Sequence, residues 1–381
     1  MINKDRLVRE TQKLLSMNSE NPPGNESALA YYIENEMRTL GLDVKSFTYD
    51  RSRPNIVACL KGIQPPEKSA SRSILISPHI DTVPIGNGWT KDPLGKDIVN
   101  GKIYGRGASD DKGNAAVCIE VLRSLIEDKV RLNYDIFFAA TVDEETGSRN
   151  GIIPMLEQKV LKPGFALILD SDECHPVIAQ KGLIHCRVRI FGKKAHGAYN
   201  WRGSNAIEMA ARIIARLTKH KFSCSKHPFL RPPTVNIGNI KGGDKVNIVA
   251  DFCEFSVDLR FLPGMKYQDV LSVLRGIIRQ ETSKFVIQID DIQRPYEIPA
   301  THPFVNSYYE TAKKMGIKVD FKGSEGATVM TFFKKHKIPA FATGFGTSGN
   351  AHTTDEYAKI SILWKGARLM ERFLIDFDKK R

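Results

Sequence analysis

The sequence predicts an α/β fold: a mostly parallel sheet with helices on both faces, interrupted by an inserted α+β unit. Three observations carry this reading. Short, fully apolar, β-branched runs alternate with helix-period segments over roughly the first 175 residues; from about Gln180 the strands lengthen and alternate apolar with polar; after about Arg294 the first texture returns. Apolar runs with no polar side belong to a parallel sheet covered on both faces, and alternation belongs to an antiparallel sheet with one open face.

The elements follow in order. Met1 to Leu15 is a charged amphipathic helix without the unbroken apolar stretch of a signal peptide. Ser73 to Ser77 (SILIS), Asp135 to Val142 (DIFFAATV) and Ala166 to Leu169 (ALIL) read as strands. Between the first two, Lys112 to Asp128 sets Ala116, Ile119, Leu122, Leu125 and Ile126 at helical spacing. Next come an alternating strand at Leu183 to Phe191, a helix at Asn205 to Thr218, strands at Thr234 to Ile240 and Cys253 to Phe261, a helix near Tyr267 to Glu281 and a strand at Phe285 to Ile289. That β-α-β-β-α-β order predicts a separate unit. Helices at Pro303 to Met315 and near Thr328 to Lys335, the strand Pro339 to Thr343 and a terminal helix from Lys359 complete the chain. The expected domains are 1–179 with 293–381, and an insert at 180–292.

Composition narrows the function classes. A chain of 381 residues with 41% apolar and 26% charged residues is long enough for two domains and is neither disordered nor fibrous. The net charge is +13, and the insert holds most of it, with 19 Lys and Arg against 9 Asp and Glu. Such an excess makes a basic surface or draws a carboxylate-bearing substrate. No nucleic-acid-binding motif accompanies it, and no apolar run can span a bilayer, so neither nucleic acid nor membrane is an expected partner. Cysteines 59, 118, 174, 186, 224 and 253 form no CxxC pair and read as reduced thiols of a cytoplasmic protein.

The informative residues follow the apolar runs. SILIS leads into Pro78-His79-Ile80-Asp81, DIFFAATV into Asp143-Glu144-Glu145-Thr146-Gly147, ALIL into Asp170-Ser171-Asp172-Glu173, and PAFAT into a Gly-rich loop with Ala351-His352. Asp110 lies in GRGASDD, just before a helix. Ligands of open α/β sheets bind beyond the carboxyl ends of the strands, and four strands deliver imidazole or carboxylate there. Imidazoles and carboxylates without a thiolate suit zinc, cobalt or manganese. A paired-metal site needs a bridging carboxylate with a histidine and a carboxylate on each side. Asp110 fits as the bridge, with His79 and Asp172 on one metal and Glu145 and His352 on the other. Asp81 can take the free ring N–H of His79. Glu144, left without a metal, is the general base. GRGASD lacks the third glycine of a dinucleotide fingerprint, and neither GxSxG nor a phosphate-binding GxxxxGK[ST] loop occurs.

PHIDTVP, YGRGASDDKG, DEETGS and NAHTTDEY, in this order and over nearly the whole chain, resemble the signatures of the metal-dependent amidohydrolases. That family includes acetylornithine deacetylase, succinyl-diaminopimelate desuccinylase, aminoacylase, glutamate carboxypeptidases and related dipeptidases. The resemblance implies a zinc-exopeptidase-like catalytic domain holding two divalent ions, zinc first, with cobalt or manganese as alternatives. His79, Asp110, Glu145 and His352 are the implied ligands, Glu144 the base and Asp81 the orienter. The fifth ligand is Asp172, from its distance to Pro176 and Gly182, with Asp170 as the alternative. A cis Asp110–Asp111 peptide is implied too. So is a lid at 180–292 that forms a homodimer, in which His196 reaches the partner's site to stabilise the oxyanion. Asn247 and Arg260 match lid positions that hold the substrate carboxylate. The Gly344 to Gly349 segment is read as letting backbone approach the substrate. The implied reaction is hydrolysis of the amide of an N-acyl amino acid, by a metal-bridging water with Glu144 as base, with a dipeptidase or carboxypeptidase as the alternative.

Overall fold

A computed structural model describes residues 1–50, 52–64 and 72–379. The chain forms two compact units, Met1–Ile178 with Ile298–Lys322 and Thr328–Arg381, and Ala179–Glu297 with Gly323–Ala327.

In the first unit the strands lie in the spatial order Asp43–Thr48, Pro54–Leu60, Ile136–Ala140, Ile74–Ser77, Phe165–Leu169, Ala340–Thr343. The last four run parallel, and the first two add an antiparallel hairpin at one side. Every residue of Ile74–Ser77, Phe165–Leu169 and Ala340–Thr343 is buried. Successive side chains point to opposite faces, so both faces of this sheet are covered. The helix Lys112–Glu127 is buried along most of its length and packs on Lys4–Leu15 and Ile360–Lys379. Phe304, Phe341, Phe373 and Phe377 close the core with edge-on and tilted rings. Each such ring removed from water contributes roughly 1.5–3 kcal/mol.

Sequence periodicity misses the hairpin. Asp43–Thr48 buries only one residue fully, so its polar texture resembles a loop. It also misses a small sheet built from Ile98–Val99, Lys102–Tyr104 and Tyr357–Lys359, pieces too short for a pattern.

The second unit is an antiparallel sheet in the order Thr234–Gly242, Phe252–Phe261, Gly182–Phe191, Phe285–Gln293, with the helices Ala206–Lys219 and Tyr267–Arg279. Alternation explains its construction. Ile184, Cys186, Val188 and Ile190 bury against Met209, Ile213 and Leu217 of one helix and Val270, Leu274 and Ile278 of the other. On the opposite face His185, Arg187 and Arg189 meet Asp258, Asp290 and Glu254 at 3.4, 2.7 and 2.6 Å. Part of the basic excess is therefore matched across strands. Asn205 caps the first helix, accepting from the Ile207 and Glu208 N–H groups at 3.0 and 3.3 Å. Gly323–Ala327, outside the expected insert, joins this unit: Glu325 pairs with the buried Lys181 ammonium at 2.6 Å and accepts the Arg231 N–H at 2.9 Å.

Among the described residues no helix is long and apolar enough to cross a membrane.

Candidate metal centre

The parallel strands set their polar residues at one edge. Beyond Ile74–Ser77 the backbone keeps its register: Thr141 N–H donates to the Pro78 carbonyl at 3.1 Å and Ile80 N–H to the Thr141 carbonyl at 2.8 Å. His79 is thus held between two ladder bonds, with its ring buried. Its Nδ1 lies 3.0 Å from the Asp81 carbonyl and 3.4 Å from Asp81 Oδ1. Its Nε2 lies 2.9 Å from Asp110 Oδ1. A proton on Nδ1, directed at Asp81, leaves the Nε2 lone pair for an electrophile.

Asp81 ties this histidine to the acidic loop. One oxygen accepts the Glu144 N–H at 3.1 Å, and the other accepts the Glu145 N–H at 3.1 Å and the Asn21 amide at 2.8 Å. Burial alone would raise its carboxyl; these donors and His79 hold it below the usual carboxylate range. Asp143 takes left-handed φ +67° and meets the buried Arg53 guanidinium at 2.9 Å, while Arg53 also grips Glu26 at 2.6 Å. Gly24, at φ +102°, lies directly over Arg53: a Cβ there would sit 2.7 Å from Nε.

That turn sets Glu144 and Glu145 next to one another in a short 3₁₀ segment. Glu145 Oε1 is 3.1 Å from His352 Nε2, and the same nitrogen is 3.1 Å from Asp110 Oδ2. Asp110 therefore offers one oxygen to each imidazole. Donor atoms of His79, Asp110 and Glu145 all lie within 4.8 Å of one another. The Asp110–Asp111 peptide is cis. The Glu144 carboxylate has no hydrogen-bond partner among the described residues, and burial followed by repulsion from Asp170 pushes its carboxyl well up.

Acids outnumber bases in this pocket. Hydrogen bonds from the His352 ring to Asp110 and Glu145 lift its imidazole to about 10. His79 is also raised, because Asp110 and Asp81 outweigh a burial that would lower it. Asp170 is pushed up to about 7 by burial and then by Asp110, with Glu145 and Asp172 adding to it. Asp172 rises to about 6, by burial and then by Asp110 and Glu173. A nitrogen and oxygen donor set with uncompensated acids fits hard or borderline divalent cations.

Close packing is one reason for the Gly-rich loop. A Cβ on Gly344 would lie 1.8 Å from the Ser171 carbonyl, and one on Gly346 would lie 2.7 Å from Asp172 Oδ1. These glycines let the loop before His352 lie against the loop carrying Asp170 and Asp172.

In the second unit His196 and Asn247 are neighbours: Gly197 N–H donates to the Asn247 carbonyl at 2.8 Å, and both side chains are exposed. Arg260 is elsewhere, at the far end of Phe252–Phe261, where Asp258 grips it at 2.7 and 2.9 Å. Eight residues of strand separate Arg260 from Phe252, a span of roughly 26 Å at the usual strand rise.

Sequence reasoning misses Asn21, Arg53, Arg106 and Glu356. Asn21 begins an Asn-Pro-Pro-Gly turn and Glu356 follows His352 in the NAHTTDEY stretch, so each carries a signal. Arg106 lies in the YGRGASDDKG stretch, whereas Arg53 carries no signal, because its partners Glu26 and Asp143 are distant in the chain.

Imidazoles and carboxylates gathered at the carboxyl edge of a parallel sheet, beside an unpartnered glutamate, are the equipment of a metal-dependent hydrolase. The model of Peptidase family M20/M25/M40 matches residues 75–376, and the chain belongs to that family, whose members hydrolyse amide or peptide bonds. The acetylornithine deacetylase of Photorhabdus laumondii is 30% identical over 80% of each chain. That of Proteus mirabilis is 28% identical over 98% of this chain and 95% of its own. In shape the chain is similar to the aminopeptidase PepT of Bacillus cereus, with a TM-score of 0.82, 24% identity and 99% of each chain covered.

Proposed function

We propose that this enzyme hydrolyses the amide bond of an N-acyl amino acid, of the acetylornithine or succinyl-diaminopimelate kind. The observation that carries the chemistry is Asp110, which lies 2.9 Å from one imidazole and 3.1 Å from the other, with Glu144 unpartnered nearby in sequence to Glu145. The substrate class rests on the two deacetylase relatives and on the basic second unit.

The donor set fits two divalent ions, zinc first, with cobalt or manganese as alternatives. His79, Asp110, Glu145 and His352 would hold them. For the fifth position Asp170 is favoured over Asp172. Asp170 feels the charges of Asp110, His79 and Glu145, whereas Asp172 feels Asp110 and Glu173. When bound, such ions lower the pKa of a coordinated water and polarise the scissile carbonyl. Glu144 takes the proton of the attacking water and delivers it to the leaving nitrogen. Asp81 holds the Nδ1 proton of His79 and, through two N–H groups, the loop that aims Glu144.

Residues 180–292 act as a lid and as the contact of a homodimer. In the family pattern Arg260 and Asn247 hold the substrate carboxylate, and His196 stabilises the oxyanion. Arg260 is a strand length from both His196 and Asn247, so a site that uses both ends draws them from two copies. The six free cysteines support a cytoplasmic location.

The test is the metal-reconstituted enzyme against N-acetylornithine, N-succinyl-diaminopimelate and a set of dipeptides, with Glu144→Gln in parallel. The acylated amino acids are expected to turn over, and Glu144→Gln to lower kcat about 10²–10⁴-fold with metal content intact. Turnover of dipeptides alone would replace the deacylase with a dipeptidase or carboxypeptidase.

A further inference from the structure

Two ligand-bearing loops, 105–111 and 350–356, are bolted together by one buried ion pair outside the donor set. Glu356 is fully buried and Arg106 is 5% exposed. One carboxylate oxygen of Glu356 accepts the backbone N–H of Ser109 at 2.9 Å and of Asp110 at 3.1 Å. The other accepts from Arg106 Nη1 at 2.7 Å. The same Nη1 donates to the Thr353 carbonyl at 3.1 Å, one residue beyond His352. The Glu356 carbonyl accepts the Gly105 N–H at 2.8 Å, and Ser109 Oγ donates to the Tyr357 carbonyl at 2.9 Å.

The consequence is geometric. Asp110 and His352 are 242 positions apart in the chain, yet both hang from one carboxylate. Glu356 fixes the Asp110 backbone through its N–H. Through Arg106 it fixes the carbonyl next to His352. His352 and Asp355 both take left-handed φ, +62° and +56°, so the loop does not relax into this shape on its local preferences alone. Asp355 is itself anchored, accepting the Thr90 and Lys91 N–H groups at 2.8 and 3.1 Å. Loops held by such contacts keep their donors at the separation a cation requires.

We propose that Glu356, with Arg106, is a positioning residue that sets the spacing between Asp110 and His352 and so tunes metal affinity and turnover without touching the metal or substrate. This rests on the reading of Asp110 and His352 as metal-holding residues. A glutamine at 356 keeps an acceptor for the two N–H groups but turns a donor toward the Arg106 guanidinium.

The test uses Co²⁺ as the probe, titrated into full-length metal-stripped protein against a chromogenic chelator, with the visible spectrum of the bound ion recorded. Glu120→Gln is the control: Glu120 is equally buried and paired with an arginine, Arg6, at 2.7 Å, but contacts none of the donors. Glu356→Gln is expected to weaken Co²⁺ binding about 10–100-fold, shift its visible bands, and lower kcat at saturating metal more than it changes KM. Glu120→Gln is expected to lower the thermal midpoint and leave affinity and spectrum unchanged. If Glu356→Gln does not fold, Arg106→Lys is read in its place, with a smaller loss of affinity expected. Wild-type affinity and spectrum in the folded variant would overturn the proposal, as would an equal loss in Glu120→Gln. A wild-type chain that binds no Co²⁺ would instead overturn the metal site, and the positioning role with it.

Discussion

Proton occupancy governs the centre at the level of single side chains. Without a cation, His352 is held as imidazolium up to about pH 10 by Asp110 and Glu145, and His79 is raised as well. A raised imidazole contributes stability that is complete below its unfolded value near 6.5 and is lost as pH climbs through the folded value. Asp170, raised to about 7, acts in the same direction: its ionisation on the way up costs the metal-free fold. A cation reverses both, because it takes neutral imidazoles and ionised carboxylates. Loading Zn²⁺ or Co²⁺ at pH 7 in weak buffer should therefore release protons. The metal-dependent gain in thermal midpoint should grow as pH rises from about 6.5 toward 10. A pH-stat and a melting series check this, and a gain that shrinks with pH would contradict the stacked His79–Asp110–His352 arrangement.

At the level of elements, what the sequence discloses depends on how local the cause is. Ile74–Ser77 and Phe165–Leu169 are visible as apolar runs because both their faces are buried. The alternation of Gly182–Phe191 is visible because only one face is. His79, Glu145 and His352 are legible because each follows an apolar run, and Asp110 because it stands just before a helix-period segment. Their supports are not. Asn21 reaches Asp81 across 60 residues, and Glu356 reaches Ser109 across 247, by hydrogen bonds that leave no period. Asp172 shows the same limit from the other side: spacing alone does not separate it from Asp170, and the preference for Asp170 proposed above rests on the charges that surround each. The acidic turn after Ile136–Ala140 depends on Arg53, buried between Glu26 and Asp143. Arg53→Met removes the cation and leaves two buried acids. It should destabilise the protein by about 3–5 kcal/mol, more at pH 8 than at pH 5, because burial already raises the Glu26 carboxyl and it can take up a proton. Denaturant melts at both pH values check it; equal losses would mean that Glu26 stays ionised through water.

On the scale of the whole molecule, the roles proposed for His196, Asn247 and Arg260 cannot all be met within one copy of the second unit. His196 and Asn247 share one end of the Phe252–Phe261 sheet, and Arg260 occupies the other. A substrate small enough to be an acylated amino acid cannot touch both ends of a strand roughly 26 Å long. In the proposed homodimer, closed two-fold symmetry would let each copy lend one end to its partner. Mixing therefore gives a decisive outcome. On the proposed roles, Glu144→Ala lacks the base and keeps His196, and His196→Ala lacks the oxyanion group and keeps the base. Co-expressed in equal amounts, they should form mixed dimers with one complete site each, restoring about a quarter of the wild-type activity by random pairing of symmetric copies. The readout is turnover of the metal-loaded mixture against each variant alone, alongside the mass in solution. A mixture no more active than its components would place His196 in the service of its own chain, and a monomeric mass would remove the shared site altogether.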